Sequence, residues 1–140
     1  MGRLRDIRKQ GKTEEAEEFL LVIDKRHKFH GNILTVNSKL GRIVLSSQAY
    51  QYAVEHYGKD FEQAQLLYSQ KTPNTFIIRP CEKGIPGARG VHIASGSRVI
   101  SAKLLLQTLE WTSEGGVHFA AEWIENLKAL RVDLNKPLEA

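Results

Sequence analysis

The sequence predicts an α+β fold: a small, mainly antiparallel sheet or partial barrel of short strands, covered by about four helices. Three observations lead there. Pairs of short runs rich in β-branched residues are separated by turn-forming residues. Around them lie segments whose apolar residues recur at helical spacing. Glycine or serine stands at most junctions, as stop or cap.

The chain begins with MGRLRDIRKQGK (1–12), which carries five basic residues, Arg3, Arg5, Arg8, Lys9 and Lys12, against one acid. Its apolar content is too low for burial, so it reads as a mobile basic arm ahead of a single domain over 13–140. Thr13 then caps a helix over 13–28. Glu14, Glu15, Glu17 and Glu18 fill its first turn, where the helix dipole favours anions, and Lys25, Arg26 and Lys28 lie near its end. Ala16, Phe19, Leu20 and Ile23 share one face, although residues 19–23 alone also fit a strand.

After Gly31 the period changes to two. NILTVN (32–37) and RIVL (42–45), separated by SKLG, predict a hairpin. Ser46 or Ser47 caps a helix over 47–57 that presents Ala49, Tyr52, Ala53, His56 and Tyr57 on one side and stops at Gly58. AQLLYS (64–69) and TFIIRP (75–80), joined by QKTPN, form a second hairpin. CEKGIPGARG (81–90) is a loop. VHIA (91–94) and RVI (98–100) bracket SGS as a third hairpin. Ser101 caps a helix over 101–111, and TSEGG (112–116) breaks the chain. Phe119, Ala120, Trp123, Ile124 and Leu127 fit a last amphipathic helix over 118–130. GRIVLSSQAYQYA (41–53) and SRVISAKLLLQTL (97–109) share one plan: a small residue, Arg, a β run, a serine and an apolar-faced helix. Duplication and chance both account for that echo, because serine is the default helix cap.

Bulk properties narrow the class. With 140 residues, 41% hydrophobic and 26% charged, the composition is that of one globular domain. No apolar run approaches the ~18 residues of a membrane span, and no signal-peptide pattern is evident. Cys81 is the single cysteine, so an internal disulfide is excluded and a cytoplasmic location is expected. The net charge is +4. Basic residues exceed acidic ones by 8 to 6 over 1–31, 5 to 3 over 32–80 and 4 to 2 over 81–111. Residues 112–140 reverse the balance, 3 to 5, so that tail is the part least suited to a polyanion.

Catalytic chemistry finds little support. His27 and His30 stand at i, i+3 but among cations, which repel a metal. Cys81 and His92 lack the surroundings of a nucleophile–base pair. GIPGARG (84–90) lacks the Gly-Lys-Ser/Thr ending and following helix of a phosphate-binding loop, and a plain connector explains it as well. No enzyme, cofactor or metal site is therefore expected. The basic arm suits phosphate contacts through counterion release. In the first hairpin, alternation puts Ile43 and Leu45 on one face and Arg42 on the other, beside Lys39 in the turn. Those charges either face an anionic partner or solubilise a β-edge.

Residues 33–80 resemble the AbrB/MraZ-like swapped-hairpin DNA-binding family. The resemblance rests on Gly41 and Arg42 as a Gly-Arg step, on Ile43 and Leu45 as its apolar positions, and on two further strands ending in Pro80. It implies hairpins interleaved into a dimeric barrel with arginines on DNA. The chain departs from that pattern at Ser46, where proline is usual, at Leu40, and in the length of the 47–57 helix. The echo at 97–109 would supply a second half, also without the proline.

The expected function is a non-enzymatic nucleic-acid-binding protein, a dimeric transcriptional regulator in form, with double-stranded DNA or another nucleic acid as partner. Arg3, Arg5, Arg8, Lys9, Lys39, Arg42, Arg89 and Arg98 are its candidate contacts. No membrane and no small-molecule substrate is expected. The alternative is a protein–protein interaction or assembly module, of a phage or accessory kind, docking through the 118–130 helix.

Overall fold

A computed structural model describes residues 32–138. β1 (Ile33–Asn37) and β2 (Arg42–Leu45) form the first hairpin, with Leu34 opposite Leu45 and Val36 opposite Ile43. These four side chains point inward and are wholly buried, each contributing about 1.5–3 kcal/mol of apolar burial. α1 (Ser47–Tyr57) follows at once. The Ser46 hydroxyl accepts a 3.0 Å bond from the Ala49 N–H, a cap worth about 1 kcal/mol. Gly58 ends the helix in the left-handed region, its N–H donating to the Val54 carbonyl.

β3 (Gln63–Tyr68) and β4 (Thr75–Cys81) make the second hairpin. β5 (Arg89–Gly90) and β6 (His92–Ala94) flank Val91, and β6 turns tightly into β7 (Ser97–Ser101). α2 (Lys103–Leu109) leads to β8 (Gly116–Ala120), β9 (Glu122–Ile124) and β10 (Ala129–Asp133). One sheet has the order β9-β10-β4-β3-β5 and the other β6-β7-β2-β1-β8, with antiparallel pairing throughout.

The edges of the two sheets are joined. β5 and β6 are separated by buried Val91, whose N–H donates to the Glu62 carbonyl; β8 and β9 are separated by buried Ala121, whose N–H donates to the Asn32 carbonyl. The chain thus bends from one sheet into the other at both corners. The ten described strands close into a barrel-like circuit in which β5–β6 and β8–β9 each act as one bent strand. Inward side chains of both sheets, among them Phe76, Ile78, Ile100, Phe119, Leu130 and Val132, form one core with Ala49, Tyr50 and Ala53 of α1 and Leu105 and Leu106 of α2.

The helix-covered α+β architecture is therefore corrected. Among the described residues there are two short helices and two five-stranded sheets, not about four helices over one small sheet. The predicted helix over 118–130 is β8, β9, a turn and β10. Phe119, Ala121 and Trp123 are buried at a period of two, as are Leu130, Val132 and Leu134, and that alternation lets the segment close the barrel. The helix expected over 101–111 spans Lys103–Leu109, and its N-cap is Ala102 without a side-chain cap, not Ser101. The arm at 1–12 and the helix at 13–28 lie outside the described residues. The three hairpins and α1 stand where the sequence placed them.

The echo at 41–53 and 97–109 has a structural counterpart. Each half runs hairpin, helix, hairpin, and the halves exchange strands. β1 pairs with β8 of the second half, β5 pairs with β3 of the first, β2 lies beside β7, and β4 beside β10. The match breaks at one place. Leu45 and Ile43 are buried two and four residues before the start of α1, whereas Ala102 and Ile100 are buried one and three residues before the start of α2. A shift of one residue in a strand turns its side chains to the opposite face.

Candidate nucleic-acid interface

Asn37 and the SKLG turn build the corner that carries Lys39 and Arg42. The Asn37 side-chain carbonyl accepts from the Leu40 N–H at 3.0 Å, which tightens the turn. Gly41 has φ +66°, and a Cβ there would lie 3.0 Å from the Lys103 Cβ. The Gly41 carbonyl accepts from the Ala102 N–H at 2.8 Å. Ser38 and Ser113 bond each other twice through backbone N–H and hydroxyl, at 3.2 and 2.6 Å. The hairpin tip is thus clamped against the beginning and the far side of α2.

Three cations stand on the segments that this clamp joins. Lys39 lies in the turn, exposed Arg42 opens β2 opposite exposed Ser101, and Lys103 starts α2 against Gly41. Nothing local in the sequence links Lys103 to Gly41; only the pairing of β2 with β7 does. Arg89 borders the same helix further on, in a notch of about 130 Å³ shared with Leu104 and Thr108. Two acids temper the group: Lys39 pairs with Glu114 at 3.1 Å, with both side chains largely exposed, and Glu110 lines one pocket with Lys103 and Ser38. An exposed pair of this kind is worth about 0–1 kcal/mol and yields readily to a phosphate.

Arg98 lies elsewhere. Its neighbour across β2 is Leu45, which is wholly buried, so the one-residue shift turns Arg98 away from the face that Arg42 occupies. Its guanidinium carbon sits 4.1 Å from the centre of the Tyr50 ring, a cation–π contact. Arg79, whose Nε donates to the Gln65 side-chain carbonyl at 3.0 Å, is on the outward side of β4. Arg3, Arg5, Arg8 and Lys9 lie outside the described residues.

The helix that would have served a docking partner is absent. Trp123 on β9 is 8% exposed, and its polar groups are satisfied within the fold. Its amide donates to the Tyr52 hydroxyl at 2.9 Å, its indole N–H to Glu125, and its ring lies 5.6 Å from that of His56. That stripe closes the barrel over α1.

Other titratable groups have plain structural causes. Burial pushes the Cys81 thiol up, partly offset by Arg79. The hydrogen bond and charge of Lys59 hold the Glu82 carboxyl below its ordinary range, and Glu82 raises Lys59 in return. Among the described residues no three His, Cys, Asp or Glu side chains assemble as a metal-binding group, and His27 and His30 lie outside them. No described helix is long and apolar enough to cross a membrane. No protein-family model, curated protein or solved structure matches the chain.

Proposed function

We propose that the protein binds double-stranded DNA without enzymatic activity, as a cytoplasmic regulator of transcription, through the corner where the first hairpin tip meets α2. The observation that carries this reading is the approach of two separate stretches, the hairpin tip with Lys39 and Arg42 and the start of α2 with Lys103, at one clamped corner. Cations carried on a fixed backbone meet phosphates with little further ordering of the chain. Arg89 extends the contact along α2, and the basic arm, with Arg3, Arg5, Arg8 and Lys9, adds phosphate contacts. The net charge of +4 favours encounter with a polyanion.

The exchange of hairpins between two halves of one chain supports the likeness to the AbrB/MraZ-like family drawn from Gly41, Arg42, Ile43 and Leu45. It also changes the stoichiometry of the proposal: the strand circuit closes within a single chain, so a second copy is not needed to complete the barrel. The test is a titration of duplex DNA at two salt concentrations. Log affinity should fall linearly with log salt, with a slope of about −0.9 per phosphate neutralised. Absence of binding at low salt removes the proposal.

A further inference from the structure

A cleft of about 500 Å³ opens at the other corner, where Val91 carries the chain from one sheet to the other. Tyr50, Asp60, Glu62, Gly90, His92 and Arg98 line it. Lys39, Arg42 and Lys103 take no part in it, so the cleft is independent of the nucleic-acid reading.

The cationic wall is built on a fixed base. Tyr50 is 4% exposed, and its hydroxyl donates to the Phe61 carbonyl at 3.1 Å and accepts from the Phe61 N–H at 3.3 Å. Arg98 lies over that ring, its guanidinium carbon 4.1 Å from the ring centre. Its only hydrogen bonds among the described residues are long ones, from Nη1 to the Gly96 carbonyl at 3.4 Å and the Ser97 carbonyl at 3.5 Å. The rest of the fork makes no hydrogen bond among the described residues. The His92 ring rests on Gly90, where a Cβ would lie 3.0 Å from Cε1 and Nε2, and makes no hydrogen bond among the described residues. Asp60 and Glu62 share the cleft yet form no ion pair with Arg98 or with any other described residue.

Opposite charges that face one cavity and do not meet leave both signs for a third party. We infer that this cleft binds a small amino-carboxylate of amino-acid to dipeptide size. Its carboxylate takes the planar Arg98 fork, its ammonium lies towards Asp60 and Glu62, and its body lies along Phe61 and Val91. Arginine suits the first role because its donors match the two carboxylate oxygens as a pair. A volume of about 500 Å³ exceeds what a lone carboxylate fills and lies within the usual range of small-molecule sites.

The test uses the full chain, titrated with a pool of amino acids, then with single members and glycyl dipeptides, beside acetate and ethylamine. NMR follows the Arg98 side-chain Nε–H, and calorimetry gives the affinity. Expected are a saturable shift at Arg98 with an amino acid or dipeptide, and weaker effects with acetate and ethylamine. Arg98→Lys keeps the charge but loses the fork and should weaken binding about tenfold or more, and Asp60→Asn with Glu62→Gln should weaken it similarly. Those two exposed carboxylates leave the core untouched, so their variant folds even if Arg98 variants do not. No shift at Arg98 with any member of the pool, or acetate binding as well as the amino acids, overturns the inference.

Discussion

Gly41 and Lys103 face each other across the seam between the two halves, and a Cβ on Gly41 would press on the Lys103 Cβ at 3.0 Å, tighter than an ordinary contact. The left-handed φ of +66° and the 3.0 Å approach both call for glycine. Gly41→Ala should destabilise the protein by about 1–3 kcal/mol, read from urea unfolding at constant m-value. An unchanged midpoint would show that the tip rearranges freely, and the clamp on Lys39 and Arg42 would lose its physical basis.

The nucleic-acid reading assigns a number to each cation. Replacing Lys39, Arg42 or Lys103 by Ala should flatten the salt dependence of duplex binding by about 0.9 in slope for each phosphate left unneutralised. Glu114→Gln should act in the opposite sense, because it frees Lys39 from its 3.1 Å partner. Arg98→Ala should leave the slope alone, since Arg98 faces Tyr50 on α1.

Strand identity in the last third of the chain is open to mutation. Trp123→Ala removes a nearly buried ring that contacts His56 and should cost about 3–5 kcal/mol. Val132→Ala removes a wholly buried side chain and should also destabilise the protein, whereas Arg131→Ala, on the exposed side of β10, should change stability by less than about 1 kcal/mol. Leu130 and Val132, buried on either side of exposed Arg131, follow the strand period of two.

Acid and base should act oppositely on the Lys59–Glu82 pair. Glu82 has a lowered pKa in the folded state, so its contribution is present above the ordinary carboxylate range and is lost as pH falls through the lowered value. Lys59 has a raised pKa, so its contribution is present below the ordinary lysine range and is lost as pH rises through the raised value. Both groups are exposed, so salt should shrink the effect. Urea midpoints across the acid range should show a shallower loss in Glu82→Gln than in the parent, and the two curves should converge at high salt.

Cys81 offers a chemical check. Burial raises its thiol pKa, so alkylation at neutral pH should run slower than that of a free cysteine and should speed up as pH rises. Rates equal to those of a small free thiol would mean that the end of β4 is open to solvent.

Much of the strand pattern was legible because local signals agreed. NILTVN, RIVL, TFIIRP and the SKLG turn combine β-branched residues, alternation and turn chemistry, and the structure pairs them as expected. The last third misled because two periods fit it at once. Phe119, Ala120, Trp123 and Ile124 suit a helical spacing, while Phe119, Ala121 and Trp123 suit a strand. The turn that separates β9 from β10 has no glycine or proline to announce it. Lys128 takes the positive φ of 53° there, and the Leu127 and Lys128 N–H groups bond back to Ile124 and Glu125. The candidate interface was half legible: Lys39 and Arg42 announced themselves as neighbours of a Gly turn, Lys103 did not, and Arg98 looked like the equal of Arg42.

Sequence alone determined the short strands, the serine-capped helix after β2 and the excess of positive charge, because each depends on residues a few places apart. The tertiary structure decided which half lends a strand to which, and thereby which cations meet. Lys103 comes beside the hairpin that carries Lys39 and Arg42 because β2 lies beside β7, and Arg98 turns to Tyr50 because one residue fewer separates its strand's buried face from the following helix. Long-range register is set by the packing of the whole barrel, and no local window of the chain contains that information.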